Sequence, residues 1–505
     1  MADKMVKITL NGKECQVPAG QNLVDAAKAN DVQIPHYCYH PGLSIAGQCR
    51  MCLFEQEGNP KLQIACNTKC SEGLKVVTDS EKVTSAVQSS LEMHLINHPI
   101  DCPICDQAGE CGLQNYYMEH GKYASEMNEH KVNKEKVVDI GDHVVLDKER
   151  CILCSRCVRF TQEISKTSDL GIFQRGDRAV IGTYNDEALK GNYQLNTVDI
   201  CPVGALTSKD FRFEQRVWLL EEADSVCGGC SQGCNVSVHH KKGKHIYRLK
   251  PRYNGDINKW WMCDTGRYTY KNSNYDKRLT SPALGGVDFS HDEAIQAWAT
   301  DLKVLTAMER TEEVGVFISP HHTHEELEGI FDTLHKQFGI TKFYSEDIDA
   351  LVKADSVQDG FLFRSDHYPN SRGFLKILQD RKIKALSLTE MAQNLQKGSI
   401  SHAILFVPED DRVLSTLHKI SRSTKPDVFV VVITPQRAAT ELFPQALSLP
   451  SLSHLEKVGT IRNYSGIDQK LSAGLRMFKE TESIQEIMAG LLEKVRETKA
   501  ERASR

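Results

Sequence analysis

Fifteen of the 17 cysteines in this chain, with one histidine, fall before residue 264 in four sets of four donors. The first two are Cys38-x10-Cys49-x2-Cys52-x13-Cys66 and His98-x3-Cys102-x2-Cys105-x5-Cys111. The next two are Cys151-x2-Cys154-x2-Cys157-x43-Cys201-Pro202 and Cys227-x2-Cys230-x3-Cys234-x28-Cys263. Any fold must return a remote fourth donor to each closely spaced group, so the first half reads as a series of looped pockets. Thiolates in fours select zinc or iron–sulfur. A disulfide scaffold suits short secreted chains, whereas 505 residues with repeated Cys-x-x-Cys pairs suit a reducing compartment. Cys15 and Cys70 are left over, and Cys15, in a strand-like run, reads as a small buried hydrophobe.

The length allows roughly three to five domains. Hydrophobic residues at 40% and charged residues at 26% describe a globular chain. A net charge of −5 argues against a nucleic-acid binder. No apolar run approaches the ~18 residues of a membrane span, and residues 428–433, the strongest, suit a buried strand. The expectation is a soluble chain that meets a membrane only through a partner. A strand pattern from Met5 leaves no room for a long targeting segment, although a presequence already removed would look the same.

Residues 6–10 alternate as a strand, Asn11-Gly12 is a hairpin turn and residues 14–17 return. A short helix over 23–29 and a glycine-containing loop over 34–52 follow. This is the order that a plant-type ferredoxin β-grasp requires. Val83, Val87, Leu91 and Leu95 are spaced as one helix face, which delivers His98 before Pro99 ends the helix. Short helices are expected after Cys157 and Cys201, and short strands around a cysteine knuckle over 226–261. Beyond Tyr270 there is no cysteine, and helices alternate with strands near 314–318, 402–407 and 428–433, an α/β arrangement with a parallel sheet. The tail after Glu480 reads as a charged, solvated helix.

The first set can wrap a two-iron cluster, with Gly42 and Gly47 bringing backbone amides near the sulfides; a zinc knuckle is the alternative. His98 precedes a Cys-x-x-Cys by the reach of one turn. A neutral imidazole in place of a thiolate lowers a cluster's negative charge and eases its reduction. His36, His40, His94 and His120 are poorer candidates. The third set is a bacterial ferredoxin half-motif that Cys201 completes, no second triplet being nearby. Lys148, Arg150, Arg156 and Arg159 would offset cluster charge there or serve as ordinary helix-surface charges. The fourth set is compatible with a four-iron cluster or a zinc ribbon.

Together the four sets resemble the large peripheral-arm iron–sulfur subunit of respiratory complex I, the family of the NADH-quinone oxidoreductase G subunit and its 75 kDa relative, over roughly the first 275 residues. The resemblance implies a [2Fe-2S] cluster on Cys38, Cys49, Cys52 and Cys66. It implies [4Fe-4S] clusters on His98, Cys102, Cys105 and Cys111, on Cys151, Cys154, Cys157 and Cys201, and on Cys227, Cys230, Cys234 and Cys263, the last off the electron path. The stretch Glu456-Lys-Val-Gly-Thr-Ile-Arg-Asn463-Tyr-Ser-Gly466-Ile467-Asp-Gln469 resembles a motif of molybdopterin oxidoreductases, with Ile467 where arginine is usual. Thr265 stands where active members carry the lysine linking cluster and pterin, and no cysteine follows Cys263 as a metal ligand. The expected fold is therefore α+β and multi-domain. A β-grasp [2Fe-2S] ferredoxin spans 1–82, a His(Cys)3 [4Fe-4S] domain 83–122 and a [4Fe-4S] ferredoxin-like domain 123–220. A further [4Fe-4S] domain spans 221–277, and a shortened molybdopterin-oxidoreductase-like α/β domain without molybdenum spans 278–505.

The function implied is electron relay in a proton-translocating NADH:quinone oxidoreductase, from an NADH/FMN-binding subunit toward quinone-proximal iron–sulfur subunits. No catalytic residue is expected on this chain, and it shows no G-x-G-x-x-G dinucleotide fingerprint. Its place would be the cytoplasmic face of a bacterial inner membrane, or the matrix side in a eukaryote. The alternatives are a catalytic molybdopterin subunit such as an NAD-linked formate dehydrogenase, an [FeFe]-hydrogenase sharing the front half, and a zinc-bound scaffold without redox chemistry. The hydrogenase reading requires cysteine motifs after the ferredoxin region, where none occurs.

Overall fold

The computed structural model describes residues 4–503, which divide into two compact units, one up to Leu219 and one from Leu220. The first unit opens with a five-stranded sheet in the order Lys13–Pro18, Met5–Leu10, Leu74–Val77, Leu53–Gln56, Gln63–Ile64. Asn11 and Gly12 take φ values of 49° and 81°, the left-handed pair that a two-residue hairpin needs, and set Leu10 opposite Lys13. Met5–Leu10 then pairs in parallel with Leu74–Val77, and the helix Leu23–Lys28, capped by Asn22, closes the sheet over Val6, Ile8, Leu10 and Phe54. This is the β-grasp order expected from the sequence, and Cys15 and Cys70 are both buried in its core.

The helix Glu81–Leu95, capped by Ser80, buries Val83, Val87 and Leu91 against the loop that carries Cys38 and Cys49. It ends at Leu95, short of Pro99, so His98 lies in the turn beyond rather than on the helix. Further on, Leu206–Ser208, Val144–Leu146 and Val138–Asp139 form a small antiparallel sheet, and Leu170–Phe173 pairs with Val180–Thr183. The helix expected after Cys201 is instead the short helix Asn196–Asp199 just before it, and beyond Cys201 the chain turns into the strand Leu206–Ser208.

The second unit begins with the antiparallel strands Glu221–Val226, Asn235–Lys241 and His245–Pro251. Beyond lies an eight-stranded sheet. Its parallel part runs Leu386–Ser387, Lys342–Ser345, Val314–Phe317, His402–Phe406, Phe429–Thr434, Leu447–Pro450, and the hairpin Ala283–Leu284/Val287–Asp288 adds an antiparallel edge. The chain starts in the middle at Val314–Phe317, winds outward, then returns to the other side at His402–Phe406. That is the doubly wound order with its reversal between those two strands. The terminal helix Ile484–Ala503 is not simply a solvated face: Ile484, Ile487, Met488 and Leu491 enter the same core as Trp298 of the helix His291–Ala307.

Candidate metal centres

In the first set all four cysteines are buried, and their thiols lie within hydrogen-bonding reach, Cys38 with Cys49 and Cys66, and Cys52 with Cys66. The backbone N–H groups of Tyr37 and Cys38 each donate to Cys49 Sγ at 3.5 Å. Hydrogen bonds from Cys49 and Cys66 draw Cys38 toward the thiolate, and the shared bond pushes Cys49 up in turn. Gly47 holds φ 61°, a left-handed conformation that glycine adopts at no steric cost. Gly42 does not serve as expected, because its N–H donates to His40 Nδ1 at 3.1 Å.

In the second set, His98, Cys102 and Cys111 line one cavity, and burial raises the thiol of Cys111, with Cys105 near enough to add to the shift. Burial holds His98 down to about 4, so the ring is neutral and ligand-competent at neutral pH. Its Nδ1 accepts from the Ile100 N–H at 3.2 Å, a bond that iron at Nδ1 would replace. Cys105 Sγ sits directly against Gly204, where no side chain could stand. Burial raises the Cys105 thiol, a shift opposed by the charge of Arg150, itself buried and tied to Asp101 by bonds of 2.8 and 3.0 Å.

The third set lines a single pocket with Leu146, Ile181, Val203 and Leu206. Leu153 and Ser155, on either side of Cys154, adopt φ values of 55° and 60°, a left-handed conformation uncommon outside glycine. Desolvation pushes Cys151 up to about 12, Cys154 up to about 11, and Cys157 well above the ordinary thiol value. Arg156 and Arg159 are not helix-surface charges: their guanidinium groups reach backbone carbonyls of the first set's loop.

The fourth set lies between the first two strands of the second unit, with Cys263 capping the turn Asp264–Arg267. Gly229 N–H donates to Cys227 Sγ at 3.4 Å and Gly266 N–H to Cys263 Sγ at 3.2 Å. Burial raises all four thiols. The 456–469 segment clasps this knuckle: Gln469 Nε2 donates to the Gly233 carbonyl at 2.8 Å, and the Tyr464 N–H to the Ser231 carbonyl at 2.8 Å. Glu456 pairs with Arg278 at 2.6 Å, both side chains fully buried. Thr265 lines a cavity with His321, Asp410, Arg412 and His454, at the carboxyl ends of the two strands where the sheet order reverses.

Among the described residues, no three His, Cys, Asp or Glu side chains converge as a single bound ion would require. Burial nonetheless raises the thiols of Cys105 and Cys111 in the second set and of every cysteine in the third and fourth, and a cationic inorganic centre would relieve that penalty. The four donor sets therefore fit the clusters that their residues imply. His36 lies beside the Ile34 carbonyl, His40 accepts from Gly42, and His94 Nε2 meets the Cys49 carbonyl at 3.1 Å; His120 faces Glu119. Sequence reasoning missed Gly204 and Gly266, whose only signal is the absence of a side chain beside a distant thiol.

Four family models match the chain in sequence order. They are a 2Fe-2S iron-sulfur cluster binding domain over residues 3–81 and the NADH-ubiquinone oxidoreductase-G iron-sulfur binding region over 88–125. The ferredoxin-like domain of NADH-quinone oxidoreductase subunit 3 matches 141–207, and an NDSU1/NuoG-like 4Fe-4S domain matches 221–271. The G subunit of the Streptomyces coelicolor NADH-quinone oxidoreductase is 35% identical over 71% of this chain and 42% of its own length. The G subunit of the Mycobacterium tuberculosis enzyme is 32% identical over 85% of this chain and 51% of its own. The mitochondrial NADH dehydrogenase [ubiquinone] iron-sulfur protein 1 of Solanum tuberosum is 38% identical over 62% of this chain and 42% of its own. The chain thus spans about half the length of the curated relatives it matches. Among solved structures, an NAD+-reducing [NiFe]-hydrogenase in the H2-reduced state is 31% identical, covering 42% of this chain and 91% of that one, with a TM-score of 0.38. Matched in order through all four cysteine regions, the chain belongs to the G-subunit family of NADH-quinone oxidoreductase iron–sulfur proteins.

Proposed function

We propose that the chain is an electron-relay subunit of a proton-translocating NADH:quinone oxidoreductase, and that it has no catalytic site of its own. The observation that carries this reading is four complete sets of soft donors gathered in one chain, one of them with a neutral histidine in place of a thiolate. When bound, the clusters would accept and pass single electrons. The chain supplies the ligands, the backbone N–H groups on Cys49, Cys227 and Cys263, and the burial that excludes water, the means by which a protein sets cluster potentials. We assign one [2Fe-2S] cluster to Cys38, Cys49, Cys52 and Cys66. Three [4Fe-4S] clusters go to the His98, Cys151 and Cys227 sets named above.

The donor partner would be an NADH/FMN-binding subunit and the acceptors quinone-proximal iron–sulfur subunits. No helix among the described residues is long and apolar enough to cross a membrane. The proposed place is therefore peripheral, at the cytoplasmic face or its matrix equivalent, with the domain boundaries given above. The last domain, 278–505, would be a shortened molybdopterin-oxidoreductase-like fold; its doubly wound sheet and the 456–469 clasp support that reading, and Thr265 speaks against a bound pterin.

Chain purified without oxygen should carry iron and sulfide for one binuclear and three tetranuclear clusters and no molybdenum. Added NADH should leave them oxidised, whereas dithionite should reduce them. A pale, iron-free yet folded preparation would overturn the relay, and reduction by NADH alone would place the donor site on this chain. In Cys111→Ser one cubane signal should vanish from the EPR spectrum while the binuclear signal survives. Loss of every signal would mean that the sets do not load independently.

A further inference from the structure

Arg156 and Arg159 stand between the first and third donor sets and touch the backbone of both. One guanidinium nitrogen of Arg159 donates to the carbonyl of Cys38 at 2.5 Å and to that of Cys154 at 3.4 Å, one ligand residue from each set. Its other terminal nitrogen donates to the Ser44 carbonyl, farther along the first set's loop, and its Nε to Ser155 Oγ at 3.2 Å. Arg156 repeats the pattern. It donates to the Tyr39 carbonyl at 2.5 Å, beside Cys38, and to the Ile200 carbonyl at 3.1 Å, beside Cys201.

Two further bonds fix the same junction: the Ser44 N–H donates to Glu163 at 2.8 Å, and Gln48 Nε2 to the Leu153 carbonyl at 2.6 Å. Arg159 is buried, and Arg156 lines the pocket of the third set. Arg156 Nε–H is a buried donor without a partner. A buried N–H left unpaired is costly.

We propose that Arg156 and Arg159 form a shared cationic bridge that sets the potentials of the first and third centres together. The inference deepens the relay reading and rests on it. Fixed positive charge stabilises the more negative, reduced state of a nearby cluster. A bridge that contacts both ligand loops raises both potentials together, so it shifts the pair as a unit, with no bond made or broken. The two arginines are positioning residues: they act through the ligand backbone, not on a substrate.

The test is an EPR-monitored redox titration of the full chain prepared anaerobically, with the third-set signal identified by its loss in Cys157→Ser. In Arg156→Gln and in Arg159→Gln, the binuclear and third-set signals should both move to lower potential. A tenfold change in the one-electron equilibrium, about 59 mV, is the expected scale. The second- and fourth-set signals should stay in place, as should all four in the exposed control Lys190→Gln. Unchanged potentials in a variant with full iron and sulfide would overturn the bridge, and so would equal shifts of all four signals. Should a glutamine variant fail to load, the lysine variants decide. Lysine keeps the charge but cannot hold both carbonyls as a fork, so the same two signals should shift the same way by less, and no shift overturns the proposal. Iron-free wild-type chain would instead sink the relay reading itself.

Discussion

Arg278→Met is expected to destabilise the second unit by about 3–5 kcal/mol, the usual cost of removing one partner from a buried ion pair. Arg278 and Glu456 meet at 2.6 Å with no exposure on either side chain. The guanidinium also donates to the carbonyls of Pro435, Ser273 and Ser451 at 3.2–3.3 Å and lies over the Phe478 ring. Methionine would fill the volume but leave three carbonyls short of a donor and a carboxylate without its counter-charge. The N–H groups of Ser453 and Met477, at 2.9 and 2.8 Å, would remain on Glu456 and soften the loss without neutralising it. The measurement is thermal unfolding of the full chain, where a drop on the order of 10 °C is expected for the second unit. The double variant Arg278→Met/Glu456→Leu should recover much of the loss, because an apolar pair can replace a buried salt bridge at little net cost. A single variant that melts like wild type would show the pair to be dispensable.

That pair also explains part of what was readable in advance. Glu456 and Gln469 stand out in the sequence as the two ends of a motif, but their roles come from partners far away. Glu456 holds Arg278, while Gln469 holds the backbone of the cysteine knuckle at Gly233. Local features were legible. Asn11-Gly12 forces its hairpin because both residues accept positive φ, and apolar runs such as Phe429–Thr434 become central parallel strands. The donor sets were legible because each puts two or three ligands within one turn of chain. What depends on distant packing was not. The helix from Glu81 stops at Leu95, before Pro99 can act on it. The charged tail carries an apolar stripe that only the neighbouring helix reveals. The arginines near the third set read equally as charges offsetting a cluster or as helix-surface charges, because nothing in their own segment shows the first set's carbonyls waiting across the junction.

Gly204→Ala should remove one cubane from the protein and leave the other three centres filled. Gly204 has no positive φ to protect, so alanine is acceptable to its backbone, and the effect is purely one of space. A Cβ there would overlap Cys105 Sγ and stand 3.1 Å from the Gln107 Cβ. A free thiol can rotate away at small cost, but a thiolate fixed to iron cannot, so the substitution penalises the loaded site far more than the empty one. The expected result is near-complete loss of the second set's EPR signal, with iron and sulfide lowered by one tetranuclear cluster and the binuclear signal intact. Gly266→Ala should do the same to the fourth set, since its Cβ would lie 2.9 Å from Cys227 Sγ and 3.2 Å from Cys263 Sγ. Gly182→Ala is the control: its new carbon would meet nothing nearer than Phe173 at 3.5 Å, an ordinary contact, so every signal should persist. Full retention of the second-set signal in Gly204→Ala would mean that Cys105 does not hold its cluster from the position it occupies against Gly204.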